Sequence, residues 1–125
     1  MAYFIVLERK IEGVDSEMDG KGLSRHIELL DSAAVRLGVR PLSEFFSISA
    51  ESAQDLLGAD GFEDGDFELP PLQQFSAREG LETVKALLAD RQFLSEHVIV
   101  DLHECERILT VAADRGVVWH FEIDI

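Results

Sequence analysis

From Val117 to Ile125 the chain alternates without a break. Val117, Trp119, Phe121, Ile123 and Ile125 take the odd positions, with Val118, His120, Glu122 and Asp124 between them. A period of two places successive side chains on opposite faces of a strand, so this run predicts a β-strand with one apolar and one largely polar face. Such a strand cannot stand alone, because its backbone needs hydrogen-bonding partners and its apolar face needs a cover. The other end of the chain offers the partner: Tyr3 to Glu8 is rich in aromatic and β-branched residues and contains neither glycine nor proline. An antiparallel pair with a single covered face fits the alternation best.

The cover is helical. Leu23, Ile27, Leu30, Ala34 and Leu37 recur in steps of four and three, which aligns them on one stripe, and Gly38 stands where a left-handed C-terminal cap is wanted. Arg40 and Pro41 then end the segment. A second helix is predicted to open at Ser76, with Glu79 three residues on as in a capping box, and to bury Leu81, Val84, Leu87 and Leu88. A third runs from about Glu96 to Arg115, with Leu102, Cys105, Leu109 and Ala112 on its stripe and Gly116 as its stop, although Val98, Ile99 and Val100 at its start would also suit a strand. The expected fold is therefore α+β: a small antiparallel sheet including the N- and C-terminal strands, packed against three or four helices. At 125 residues it is expected to be one domain, 1–125, able to bury a core without disulfides or metal.

The middle of the chain differs in kind. Pro41 to Ala77 contains no Lys or Arg, while Glu44, Glu51, Asp55, Asp60, Glu63, Asp64, Asp66 and Glu68 supply eight carboxylates. The whole chain has 25 Asp and Glu against 11 Lys and Arg, a formal charge of −14, so more than half of the excess falls in this stretch. A short helix around Glu51 to Leu57 is predicted, ended by Gly58; beyond it the turn residues Gly58 to Asp66 and the stiff Pro70-Pro71 pair mark an acidic, loop-rich segment at about 49–75. Phe62 and Phe67 are set among its acids, where an aromatic either docks on the core or contacts a partner.

Several patterns approach known chemistry and stop short. Asp15, Glu17 and Asp19 with Gly20 match relative positions one, three, five and six of an EF-hand calcium loop. Position eight, however, is Gly22, and position twelve is His26 where a bidentate Glu is required, so Asp15, Glu17 and Asp19 are weak metal candidates and suit the approach to a helix N-terminus better. His103-Glu104 begins like the His-Glu-x-x-His zinc signature, but Arg107 replaces the second histidine. His97 and Asp101, one turn apart, could form a hydrogen-bonded pair; together with His103 and Glu104 they are the residues a metal-binding or metal-dependent enzyme domain would use. Gly20-Lys21-Gly22 lacks the spacing of a phosphate-binding loop. Cys105 and Trp119 fall on apolar stripes and are expected in the core. No catalytic residue and no cofactor is predicted.

Charge points instead to association. The absence of clustered Lys and Arg argues against a duplex nucleic-acid surface, and no apolar run reaches the roughly 20 residues of a membrane helix. A lone cysteine and the lack of a signal-peptide pattern fit a reducing, cytoplasmic compartment. The expected function is a protein-interaction module that presents an acidic surface to a basic partner through Asp60, Phe62, Glu63, Asp64, Asp66 and Phe67, with self-association through sheet edges or helix faces also open. In size and charge alone the chain is similar to bacterial immunity proteins, which cover the substrate-binding surface of basic nuclease toxins. Asp19-Gly20-Lys21 at a helix start and Gly116 to His120 leading into a strand likewise resemble small bacterial proteins.

Overall fold

The C-terminal run forms strand β2 (Trp119–Asp124), paired antiparallel with β1 (Ala2–Leu7). The computed structural model describes residues 2–15, 17–47, 72–90 and 94–124. Ile5 lies opposite Phe121 and Leu7 opposite Trp119, which sets the large apolar side chains on one face, as the alternation predicts. Neither edge of β2 is left bare. Along the edge away from β1, Phe46 bridges to Phe121 and Phe75 to Trp119. Ser47 N–H donates to Phe121 O at 3.0 Å, and Phe75 and Trp119 exchange two backbone hydrogen bonds at 2.8 and 2.9 Å.

The helices follow the predicted stripes, but the first is broken in two, and Leu81 and Leu88 of the second are only partly buried where Val84 and Leu87 are fully so. Leu23 and Leu30 sit on separate helices, α1 (Lys21–Arg25) and α2 (Ile27–Leu37), because His26 leaves helical geometry at φ −118° and ψ 20°. The reason is that the two halves pack on different neighbours. α1 lies on β1 and on α4 (Glu96–Arg115), whereas α2 lies on α3 (Ala77–Ala89) and on the 3-10 turn Leu42–Phe45. Leu23, Leu30 and Ala34 are buried, but Leu37 is exposed at the end of the stripe.

The second helix opens at Ser76 and the third stops at Gly116, as expected. Ser76 Oγ accepts from Glu79 N–H at 3.2 Å, although the Glu79 carboxylate turns outward to Arg40 at 3.4 Å instead of completing the capping box. Ser95 Oγ caps α4, so Val98 to Val100 are helical, and Val98 is buried.

Trp119 is the centre of the core. It is fully buried, stacks on Phe45 with centroids 5.0 Å apart, meets Phe121 edge-on at 4.8 Å, and donates its indole N–H to Ser76 O at 3.0 Å. α3 can approach this ring only because residue 80 is glycine: a Cβ there would fall 2.4 Å from Trp119 Cζ2 and 2.9 Å from Leu109 Cδ1.

The outer face of β2 departs from expectation. His120 and Glu122, which the alternation assigns to a largely polar face, are 2% and 7% exposed. The sequence pattern shows which residues share a face but not whether that face is covered, and here two polar side chains lie buried and satisfy one another. Among the described residues no helix is long and apolar enough to cross a membrane.

Candidate functional site

A cleft of about 350 Å³ opens between α1 and the first turn of α4. Its shape follows from two glycines. Gly20 precedes α1 with φ 69°, in the left-handed region, and lies so close to β1 that a Cβ would collide with the Tyr3 carbonyl. Gly22 lets α1 pack directly on α4, since a Cβ there would fall 2.9 Å from the His97 carbonyl and 2.8 Å from Asp101 Oδ2. A glycine at the cap also means that α1 has no capping side chain of its own.

Asp101 supplies the cap from another helix. Its Oδ2 accepts from Gly22 N–H at 2.8 Å and Leu23 N–H at 3.2 Å, and its Oδ1 accepts from Gly20 N–H at 3.4 Å. The first two are the amides that an N-cap side chain ordinarily serves, and the carboxylate charge also complements the positive end of the helix dipole. The group is 4% exposed and belongs to the same buried face of α4 as Val98, Leu102 and Cys105. An acid on an apolar stripe, combined with a glycine where a helix needs Ser, Thr, Asp or Asn, is the sequence signal that could have revealed this contact.

The candidate residues on α4 separate. His97 and Asp101 line the cleft with Lys21, Arg25 and His26, whereas His103 and Glu104 lie outside it. His103 is exposed and sits 3.6 Å from Glu106, and Glu104 accepts from Arg107 at 2.7 Å. Asp101 is bonded to backbone amides, not to His97. Of the calcium-loop pattern, Asp15, Glu17 and Asp19 are all exposed; Asp15 Oδ1 accepts from Glu17 N–H at 2.9 Å, closing a local turn, while the Asp15 carbonyl accepts from Arg107 at 2.8 Å and Asp19 reaches the cleft. Among the described residues no three or more His, Cys, Asp or Glu side chains are grouped to hold a metal ion.

A second polar cluster lies on the outer face of β2. His120 Nε2 is 2.7 Å from Glu122 Oε2 and Nδ1 is 2.9 Å from Gln74 Oε1, so both ring nitrogens face oxygen. An imidazole that donates from both nitrogens carries a positive charge, which Glu122 would balance; with the Gln74 amide turned to offer its nitrogen, a neutral ring is satisfied equally well. Gln74 was not singled out in the sequence, because nothing in its local pattern shows that it returns to the edge of β2.

Cys105 is fully buried, with its Sγ 3.8 Å from Met18 Sδ. Burial, reinforced by the charges of Asp101 and Glu104, pushes the thiol far above its ordinary value, so the reactive thiolate is suppressed. The partner-contact candidates Asp60, Phe62, Glu63, Asp64, Asp66 and Phe67, and the short helix expected around Glu51 to Leu57, lie outside the described residues.

The fold and its polar clusters define a small α+β protein. No family model, curated protein or solved structure matches the chain.

Proposed function

We propose that this protein is an interaction module that binds a basic partner protein through its acidic segment. The observation that carries the reading is the segregation of charge: Pro41 to Ala77 holds eight carboxylates and no Lys or Arg in a chain that has 11 cationic side chains elsewhere. Like charge concentrated on one stretch accelerates encounter with an opposite surface and disfavours acidic competitors. The arrangement around the segment supports the reading. Its flanks are tied together by the hydrogen bond from Gln73 N–H to Ser47 Oγ at 2.9 Å, and both flanks are anchored on β2. Phe62 and Phe67 supply the apolar anchors that a charged interface needs for residence, since charge contributes more to encounter than to tight binding. The compartment proposed is the cytoplasm, and the partner class is a protein with a cationic face, as in the immunity proteins that this chain resembles in size and charge.

The test is affinity capture from the source cell's lysate at low and high salt, followed by binding measurements on the retained protein. A basic protein released by salt, with weaker binding when Glu63, Asp64 and Asp66 are neutralised, supports the reading. Unchanged affinity and an unchanged salt slope in that variant remove the acidic segment from the mechanism.

A further inference from the structure

We draw no further inference here: the strongest candidate, the buried His120–Glu122 pair with Gln74 on the outer face of β2, is satisfied with the imidazole either charged or neutral once the Gln74 amide turns, and nothing in the structure gives it a ligand.

Discussion

Replacing Asp101 by alanine should be among the most damaging single changes in the cleft, although the residue is charged and belongs to a helix that does not need it. The carboxylate accepts two close backbone hydrogen bonds from the first turn of α1, at 2.8 and 3.2 Å, and a longer one from Gly20 at 3.4 Å. Hydrogen bonds to an ionised group contribute roughly 1.5–3 kcal/mol each, and amides left buried without an acceptor incur a desolvation cost of about 1–3 kcal/mol. Part of this is offset, because alanine removes a carboxylate that is itself costly to bury. A net loss of about 3 kcal/mol is expected, above the ~1 kcal/mol of an ordinary exposed cap. For a domain of this size that corresponds to a fall in Tm of roughly 12 °C, taking about 4 °C per kcal/mol. Asp101→Asn should lose somewhat less, about 2 kcal/mol, since one oxygen can still accept while the amide nitrogen faces other donors. The assay is urea denaturation of both variants beside His97→Ala, whose exposed side chain on the same cleft should change stability by less than about 0.5 kcal/mol. Amide exchange at Gly22 and Leu23 locates the loss at the start of α1. Stability of Asp101→Ala within about 0.5 kcal/mol of the wild type would refute the assignment of Asp101 as the cap of α1.

Four further outcomes are expected. Gly80→Ala places a methyl 2.4 Å from Trp119 Cζ2, so α3 or the indole must shift; a loss of about 1–3 kcal/mol together with altered tryptophan fluorescence is expected, and an unchanged spectrum and stability would contradict the packing. Glu122→Ala leaves a buried ring nitrogen of His120 without its 2.7 Å acceptor and should lower stability by about 1–3 kcal/mol in thermal melts. Cys105 should resist aromatic disulfide reagents in the native protein at neutral pH and react on unfolding; because burial raises its pKa in the fold, the unfolded thiol ionises first, so stability is unaffected by this group below about pH 8.5 and declines as pH rises further, visible as a lower denaturation midpoint at alkaline pH. Phe62→Ala and Phe67→Ala distinguish two roles: weaker binding to the captured partner at unchanged Tm identifies contact residues, whereas a large fall in Tm identifies core residues.

Local pattern was sufficient for the sheet and for most of the helical boundaries. The two-residue period of Val117 to Ile125, the spacing of Leu102, Cys105, Leu109 and Ala112, and the Ser76 and Gly116 caps each state a backbone preference and a buried face within a few residues, so strand pairing, α3 and α4 follow from them. The concentration of acids between Pro41 and Ala77, on which the proposed function rests, is likewise a property of the chain alone. The cleft was only partly legible. His97 and Asp101 were singled out together with His103 and Glu104, but spacing along a helix cannot show what stands across from each side chain. Contacts between residues far apart in the chain decided that: packing against α4 turned Asp101 toward the amides of α1, and the divergent neighbours of α1 and α2 broke the helix at His26. The same limit applies to His120 and Glu122. Their alternation placed them on one face, and only the tertiary fold determined that both would be buried and that Gln74 would meet the His120 ring. Periodicity records which residues lie together on an element, whereas burial and hydrogen-bond partners depend on what the rest of the chain brings against it.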